Sequence, residues 1–215
     1  MKLSVNINKV ATLRNARGGL VPDVLLAAKR IQDYGADGIT VHPGPDERHI
    51  TYDDVKGIKN IIDIEFNVEG YPNKEFLKLI AQVKPTQVTL VPDAVDVLTS
   101  NAGWDVRHHH LFLQDVIAQI KEHGNRTSIF IDSDPIQIEY SAKTNTDRVE
   151  LYTESYSKNY NIDPEKAITS YVQASELAQH FNLGINAGHD LNLDNLNFFA
   201  KRINGLLEVL SLIHI

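Results

Sequence analysis

The chain of 215 residues contains no cysteine. This absence excludes disulfide bonds, thiolate metal ligands and thiol nucleophiles. Basic residues are also fewer than acidic ones. The chain has 21 Lys and Arg and 28 Asp and Glu, so its formal net charge is −7. A general surface for nucleic acid or for anionic membranes is therefore not expected. Any phosphate site must be a local pocket made from a few basic side chains and backbone amides.

Long hydrophobic runs are missing as well. No stretch approaches the ~20 apolar residues of a membrane-spanning helix. The N-terminal segment MKLSVNINKVATLRNARGG lacks the continuous apolar core of a signal peptide. We therefore expect a cytoplasmic protein that binds no membrane. Hydrophobic residues make up 42% of the chain, which suffices for one sizeable core, and we expect a single domain over residues 1–215.

Short β-rich segments alternate with longer amphipathic segments along the whole chain. Most of the short segments are apolar on both faces, as in parallel strands covered by helices. This pattern predicts an α/β fold, the (β/α)8 or TIM barrel, with an open doubly wound sheet as the competitor. The sequence stops at Ile215 directly after the eighth predicted strand, so we expect the barrel to lack its last outer helix. The predicted strands are 3–8, 38–42, 64–69, 87–92, 127–132, 148–153, 184–186 and 206–212.

Helix signals agree with this alternation. Pro22 and Gly35 bracket one amphipathic segment, which matches the preference of proline for helix starts and of glycine for helix ends. Asp163 is expected to cap the N-terminus of another helix, and Gly184 is expected to end it. The histidine triplet at 108–110 precedes an amphipathic run, and we interpret it as a helix start rather than a metal site.

Catalytic groups of such barrels stand at the C-terminal ends of the strands. Here two histidines and two glutamates occupy these ends, namely His42, Glu69, Glu150 and His189. They form a sensible acid–base set, because histidine titrates near neutral pH and burial raises the pKa of a glutamate towards it. An unpaired carboxylate inside the barrel would be costly, so we expect a partner or a substrate for Glu150. Other polar residues near strand ends are Asn6, Asn8, Lys9, His49, Asp93, Thr99, Asp132, Asp134, Glu208 and His214.

Two loops are candidate phosphate sites. Arg14 and Arg17 lie in the predicted loop after the first strand, and the planar fork of arginine suits phosphate. The segment NAGHDLNLDN carries Gly188, which would let the backbone approach a ligand, and a helix starting nearby would offer free N–H groups to an anion. The alternative for this segment is a plain Asn/Gly turn in which Asp190 caps the helix.

The chain closely resembles the pyridoxine 5′-phosphate synthase family in motifs that occur in order: VNIN, ATLRNARGG, GITVH, DERHI, FNVEG, TLVPD, LTSNAGWD, SIFID, VELYTE and INAGHDL. The resemblance spans essentially the whole chain. It implies a TIM barrel that assembles into a homo-octamer and works without a metal or another cofactor. The implied substrates are the small phosphorylated molecules 3-amino-2-oxopropyl phosphate and 1-deoxy-D-xylulose 5-phosphate. The implied products are pyridoxine 5′-phosphate, inorganic phosphate and water.

The resemblance also implies roles for individual residues. His42 and Glu69 are expected to accept protons, His189 to donate one, and Glu150 to stabilise the transition state. Asn6 resembles a ligand of the aminoketone phosphate. The residues that resemble ligands of deoxyxylulose phosphate are Arg17, His49 and Thr99. Further residues expected to bind substrate are Asn8, Lys9, Asp190 and His214.

Three positions depart from the family pattern. Many members have Asp-His where this chain has Asn8-Lys9, and lysine still offers a cation to phosphate. Gly44 stands where relatives have an arginine that binds deoxyxylulose phosphate, which removes a charge-assisted contact worth roughly 1.5–3 kcal/mol. The last residues read EVLSLIHI, with Ile213 before His214 where relatives have a Gly-His pair.

Two alternative interpretations follow. Because of Gly44 and the altered C-terminal sequence, the protein is either active or a catalytically impaired member of the family. A different class is a metal-dependent sugar-phosphate isomerase or epimerase barrel. In such a barrel His42, Glu69, Glu150 and His189 would be metal ligands rather than acids and bases.

Overall fold

A computed structural model describes residues 1–44, 46–92 and 102–211. In this part of the chain, eight parallel strands pair in sequence order, and the last strand pairs with the first to close a barrel. The (β/α)8 fold predicted from the alternating pattern is confirmed. The strands are β1 (Lys2–Asn6), β2 (Gly38–Val41), β3 (Glu65–Gly70), β4 (Gln87–Leu90), β5 (Arg126–Ile131), β6 (Arg148–Tyr152), β7 (Gly184–Gly188) and β8 (Leu206–Ser211).

Helices surround this barrel and connect its strands. Within the described ranges, none is long and apolar enough to cross a membrane. The prediction that no helix follows the eighth strand concerns residues 212–215, which lie outside the described residues. The helices are α1 (Asn8–Arg17), α2 (Val24–Asp33), α3 (Tyr52–Lys59), α4 (Lys74–Val83), α5 (Val106–Glu122), α6 (Pro135–Lys143), α7 (Glu154–Tyr160), α8 (Pro164–His180) and α9 (Leu196–Arg202).

The hydrophobic core lies between the strands and the helices. Successive side chains of a strand point to opposite faces, so every second residue faces the helices. Ile39, Phe66, Val88, Ile129 and Val149 occupy such positions and are fully buried. Burying a side chain of this size contributes about 1.5–3 kcal/mol, so this outer layer supplies most of the hydrophobic stabilisation.

The inner face of the barrel is polar. The Ser4 and Thr40 hydroxyl oxygens lie 2.7 Å apart, Asn67 Nδ2 donates to Thr40 Oγ1 at 3.3 Å, and Thr89 Oγ1 donates to Asn67 Oδ1 at 3.0 Å. All four residues are buried. Buried polar groups need such partners to offset the loss of water. Glu150 is likewise buried on this inner face.

Ion pairs join different strands of the barrel near their N-terminal ends. Arg148 Nη1 lies 3.0 Å from Glu208 Oε2, and Glu65 forms ion pairs with Lys2 and Arg126. The register of β8 pairs Glu208 with Lys2, the first residue of β1. The prediction that Glu208 lies near the C-terminal strand ends is therefore wrong, because it is held at the opposite end of the barrel.

The segment after β1 differs from its predicted structure. β1 ends at Asn6 rather than at residue 8, and Asn8 begins helix α1. Arg14 and Arg17 therefore lie in a helix, and the prediction of a loop is wrong. The sequence of this helix contains neither glycine nor proline, and Gly18 ends it with a φ of 66°. A single glycine in the left-handed region is a common helix end.

The predicted helix ends are mostly confirmed. The Asp163 side chain accepts a hydrogen bond from Lys166 N at 3.0 Å at the start of α8, and Gly35 adopts a φ of 96° just after α2. Gly184 does not end α8, because that helix ends at His180 and Gly184 begins β7. Asn182, with a φ of 58°, adopts the left-handed conformation of the intervening turn. The histidine triplet at 108–110 lies in the first turns of α5, as predicted.

Candidate active site

His42 and Glu69 meet at the C-terminal ends of β2 and β3. His42 follows β2 directly, Glu69 is the next-to-last residue of β3, and His42 Nδ1 lies 3.9 Å from Glu69 Oε2. Burial, together with a smaller contribution from the charge of His49, lowers the pKa of His42 to about 4. At neutral pH the His42 ring is therefore neutral, which is the form that can accept a proton.

Asn6 and Asn8 hold the backbone around His42. Asn8 Oδ1 accepts a hydrogen bond from His42 N at 2.8 Å, and Asn6 Oδ1 accepts one from Asn8 N at 2.9 Å. Since both side-chain oxygens are engaged within the protein, these residues can offer a ligand their amide N–H donors. Such donors suit a phosphate or carbonyl oxygen, and both residues stand beside the candidate base as predicted.

Glu150 lies inside the barrel and is buried, with 1% of the residue exposed. Burial raises its pKa well above the ordinary value, and the charges of Glu69 and Glu208 raise it further. Burial therefore stabilises the neutral carboxyl form of Glu150 relative to that of an exposed glutamate. Its Oε2 atom has no hydrogen-bond partner within the described part of the chain.

Gly188 provides the space for this carboxyl group. A Cβ atom at Gly188 would lie 2.8 Å from Glu150 Oε1 and 3.2 Å from Leu210 Cβ. The segment NAGHDLNLDN predicts that this glycine lets the backbone approach a ligand. The structure shows that the glycine admits the side chain of Glu150.

His189 is held both by its ring and by its backbone. Its ring centroid lies 5.1 Å from that of Phe130 and 4.9 Å from that of Tyr152. The backbone adopts a φ of 84° at His189, and the Thr153 hydroxyl hydrogen-bonds its carbonyl oxygen. A left-handed residue that is not glycine usually marks a turn or a functional constraint. The ring of His189 is thus directed over the mouth of the barrel by fixed neighbours.

Phe130 and Tyr152 were missed in the sequence analysis. Together with Val91 they form a small apolar cluster of their own. Burial raises the pKa of Tyr152 to about 12, so its hydroxyl keeps its proton. The available signal was the period of two along a strand: Tyr152 stands two residues after Glu150 and therefore faces the same side of the barrel.

His49 and Lys9 lie at the rim of the barrel near His42. Burial lowers the pKa of His49, and the positive charges of Arg48 and Lys9 lower it further. The His49 Nδ1 atom lies 3.0 Å from the Thr12 hydroxyl of α1. His49 is therefore neutral at neutral pH, with one ring nitrogen already engaged.

Arg14 ties α1 to α3 instead of facing a ligand. Its guanidinium contacts both carboxylate oxygens of Asp54, at 2.6 Å and 2.8 Å, and Nη2 also donates to the His49 carbonyl at 3.3 Å. A bidentate pair of this kind is geometrically specific. The fork of Arg14 is thus occupied by a carboxylate, and its role is to fix the segment that carries His49.

Arg17 lies at the opposite end of α1 from Asn8. It is the last residue of α1, and the rise of a helix places it about 14 Å along the axis from Asn8. Its side chain is exposed. Thr99 and His214, two other predicted ligands, lie outside the described residues.

Asp190 follows His189 in a tight left-handed turn with a φ of 58°. Its carbonyl oxygen accepts a hydrogen bond from Ser157 Oγ at 2.9 Å. Asn195, and not Asp190, occupies the cap position of α9. The alternative in which Asp190 caps the helix is therefore wrong, while its predicted place beside His189 agrees with the structure.

The turn after His42 leaves room at Gly44. A Cβ atom there would meet only the Asp46 Oδ1 atom, at 3.1 Å. The next arginine along the chain, Arg48, forms an ion pair with Asp46. A side chain could thus be accommodated at Gly44 with a small shift of the Asp46 carboxylate.

A metal-ligand cluster is not found. Among residues 1–44, 46–92 and 102–211, no group of three His, Asp or Glu side chains is placed so that it could hold a metal ion. The metal-dependent isomerase interpretation requires such a group from His42, Glu69, Glu150 and His189. That interpretation is not favoured.

A family model described as "Pyridoxal phosphate biosynthesis protein PdxJ" matches residues 3–213. The chain belongs to the PdxJ family. The family resemblance predicted from the strand-end motifs is thereby confirmed.

Several similar curated proteins are named pyridoxine 5′-phosphate synthase. The protein of Parabacteroides distasonis is 57% identical over 96% of this chain and 87% of its own length. The protein of Flavobacterium johnsoniae is 54% identical over 97% of this chain and 88% of its own length. The protein of Porphyromonas gingivalis is 57% identical over 97% of this chain and 87% of its own length.

Solved structures with a similar backbone are much more distant in sequence. Phosphoribosylanthranilate isomerase from Thermotoga maritima matches with a TM-score of 0.60 and 13% identity, over 99% of this chain and 87% of that chain. The isomerase from Thermus thermophilus matches with a TM-score of 0.60 and 11% identity, over 99% of this chain and 87% of that chain. At such identities the likeness shows the shared barrel fold alone.

Proposed function

We propose that this PdxJ-family chain is a pyridoxine 5′-phosphate synthase. It condenses 3-amino-2-oxopropyl phosphate with 1-deoxy-D-xylulose 5-phosphate and releases pyridoxine 5′-phosphate, phosphate and water. The observation that carries the proposal is the match of residues 3–213 to the family model, with curated relatives of that name at 57% identity. The acid–base groups at one end of the barrel supply the chemistry that this reaction needs.

The reaction requires several proton transfers at adjacent carbon atoms. Joining an amine to a ketone, expelling water and phosphate and closing an aromatic ring each move a proton. We assign His42 and Glu69 as proton acceptors, because a neutral imidazole stands 3.9 Å from a carboxylate that can stabilise the imidazolium once it forms. General base catalysis of this kind contributes about 10²- to 10⁴-fold to a rate.

Glu150 is assigned as the group that stabilises the transition state. In its neutral form, which burial favours, the carboxyl can donate a hydrogen bond to an oxygen atom that gains negative charge. A buried donor of fixed orientation does so without reorganising water. The close approach of Gly188 to Oε1 restricts the orientation of this carboxyl group. Oε2 is buried and has no hydrogen-bond partner among the described residues, and we assign it as the atom that meets the substrate.

His189 is assigned as the proton donor to a leaving oxygen. The rings of Phe130 and Tyr152 fix its orientation. The same apolar surface would shield imine intermediates from water and would pack against a planar ring as it becomes aromatic. The assigned proton donor, His189, and the assigned proton acceptors, His42 and Glu69, thus act on the substrate from different strands.

The phosphate groups require donors at the rim. We assign Asn6 to the aminoketone phosphate, and Arg17, His49 and Thr99 to deoxyxylulose phosphate. Of these last three, His49 is the one whose described position is close to His42, as shown by the effect of its charge on the pKa of His42. The remaining proposed substrate contacts are Asn8, Lys9, Asp190 and His214.

The proposal extends to assembly and location on the basis of family resemblance. The enzyme is expected to be a homo-octamer of single barrel domains in the cytoplasm, acting without a metal or another cofactor. A net charge of −7 supports the expectation that it binds neither nucleic acid nor anionic membranes.

The proposal is tested by incubating the purified protein with both phosphates after exhaustive treatment with a chelator. Appearance of the pyridoxine 5′-phosphate absorbance at the untreated rate is the expected result. Loss of turnover on chelation and its return with a divalent metal would instead support the metal-dependent isomerase class. Omitting either phosphate is the control, and it should abolish the signal.

A further inference from the structure

The hydroxyl group of Thr12 stands between a carbonyl oxygen and a histidine ring. Thr12 Oγ1 donates to the Asn8 carbonyl at 3.0 Å and lies 3.0 Å from His49 Nδ1. A hydroxyl has one proton to donate, and a carbonyl oxygen can only accept. Because the proton of Thr12 is directed to Asn8, the hydrogen between Thr12 and His49 must belong to the ring. His49 is therefore the tautomer that carries its hydrogen on Nδ1.

The backbone of His49 is tied to the same helix. Asn15 Nδ2 donates to the His49 carbonyl at 2.8 Å, and Arg14 Nη2 donates to it at 3.3 Å. Arg14 is itself fixed by its two contacts with Asp54. These contacts hold the His49 backbone against α1, and with Nδ1 at Thr12 we take Nε2 as the nitrogen that meets a ligand.

The charges around His49 oppose its protonation in the free protein. Burial lowers its pKa most, and the charges of Arg48 in its own loop and Lys9 on α1 lower it further, while the Arg48 backbone and the Asp46 carboxylate act in the opposite direction. His42, at the end of β2, is neutral at neutral pH, and Arg14 and Asp54 neutralise each other. In the neutral ring with hydrogen on Nδ1, Nε2 presents a lone pair. A lone pair repels a phosphate oxygen, whereas a protonated Nε2 donates to it.

We propose that Thr12 is a positioning residue that fixes the tautomer of His49, so that His49 binds the phosphate of its substrate only together with a proton. The inference rests on the proposed function in one respect, since it takes 1-deoxy-D-xylulose 5-phosphate as the ligand of His49. Binding of the phosphate dianion then removes up to one proton from solution at pH values above the pKa of His49 in the free protein. Below that pKa the ring is already protonated and the uptake disappears.

The tautomer is tested first, in the free protein and without substrate. Nitrogen-15 NMR of histidine-labelled protein distinguishes a protonated Nδ1 from a protonated Nε2, and His49→Gln identifies the signal. The wild type and Thr12→Ser, which keeps the hydroxyl, should both show hydrogen on Nδ1. Thr12→Val, which keeps the shape and loses the hydroxyl, should show a mixture of tautomers. Hydrogen on Nε2 in the wild type would overturn the inference.

The coupling to phosphate is tested by calorimetry with 1-deoxy-D-xylulose 5-phosphate at pH 7.5 in buffers of different ionisation enthalpy. The wild type and Thr12→Ser should take up a proton on binding. Thr12→Val should take up fewer protons, because its ring can donate from Nε2 while neutral, and its KM for this substrate should change more than its kcat. Tight binding without proton uptake in the wild type would overturn the inference and leave the proposed function standing. Absence of binding would overturn the proposed function, while the NMR result still decides the tautomer.

Discussion

His42 Nδ1 and Glu69 Oε2 lie 3.9 Å apart at the ends of two neighbouring strands. The register of β2 and β3 pairs Val41 with Val68, so His42 and Glu69 are the next pair along the two strands. Both side chains face the inside of the barrel, since the flanking valines face the helices. The relationship thus follows directly from strand alternation and parallel register, and it brings a neutral base and a carboxylate to one point.

The first prediction compares the two ends of β3. Glu69→Gln should reduce kcat by about 10²- to 10⁴-fold, because it removes a proton acceptor and the group that stabilises an imidazolium. Glu65→Gln is the matched control, since Glu65 begins the same strand and pairs with Lys2 and Arg126 at the opposite end of the barrel. This control should lower the unfolding free energy with little effect on kcat. Equal loss of activity in both variants would remove Glu69 from the catalytic set.

A second prediction concerns the titration of His42. Its pKa is lowered in the folded protein from 6.5 to about 4. Between these two pH values the unfolded chain binds more protons than the folded one, so the unfolding free energy falls as the pH is lowered through this window. Proton NMR should show one ring that titrates near 4, and this signal should be absent in His42→Gln. The same substitution should weaken the pH dependence of urea unfolding between pH 6.5 and 4. A His42 ring that titrates near 6.5 would contradict its burial as the cause of neutrality.

Gly188→Ala is predicted to impair catalysis without unfolding the barrel. The added methyl group would lie 2.8 Å from Glu150 Oε1, so the carboxyl group must move. A displacement of about 1 Å at a catalytic group can cost 10²-fold in rate. Gly57→Ala is the control, because its methyl group meets only the flexible end of Leu25 on the outside of the barrel. Steady-state kinetics and thermal unfolding of both variants are the measurements. Unchanged kcat in Gly188→Ala would argue against a precise position for Glu150.

Gly44→Arg is predicted to strengthen binding of deoxyxylulose phosphate. A charge-assisted hydrogen bond contributes roughly 1.5–3 kcal/mol, which corresponds to about 10- to 100-fold in affinity. The turn has room for a side chain, since only Asp46 Oδ1 lies near the Cβ position. Calorimetry of the wild type and of Gly44→Arg tests this, with Gln119→Arg on an exposed part of α5 as a control for added charge. Equal affinity in all three proteins would show that Gly44 causes no impairment.

The fold and the strand-end positions of the candidate site are predictable because they depend on local patterns. Apolar strands at regular intervals predict the barrel, and the rule that chemistry lies at the C-terminal strand ends selects His42, Glu69 and His189. Alternation alone places Glu150 on the inner face. These features require no knowledge of which residues meet across the barrel.

The missed features depend on contacts between distant segments. Glu208 was misplaced because the sequence does not reveal the stagger of β8 against β1, which pairs Glu208 with Lys2. The partners of His189 come from β5 and β6, and the partner of His49 comes from α1. Thr12 carries no sequence signal for its role, since a threonine in a helix commonly bonds the carbonyl four residues earlier.

The most direct test of the proposed reaction is the stoichiometry of products from the two phosphorylated substrates. Purified protein supplied with both should form pyridoxine 5′-phosphate, identified by mass and absorbance, and should release one phosphate for each molecule formed. His42→Gln should reduce both signals together while calorimetry still detects binding of the substrates. Consumption of deoxyxylulose phosphate without pyridoxine 5′-phosphate, or product formation unaffected by His42→Gln, would contradict the account.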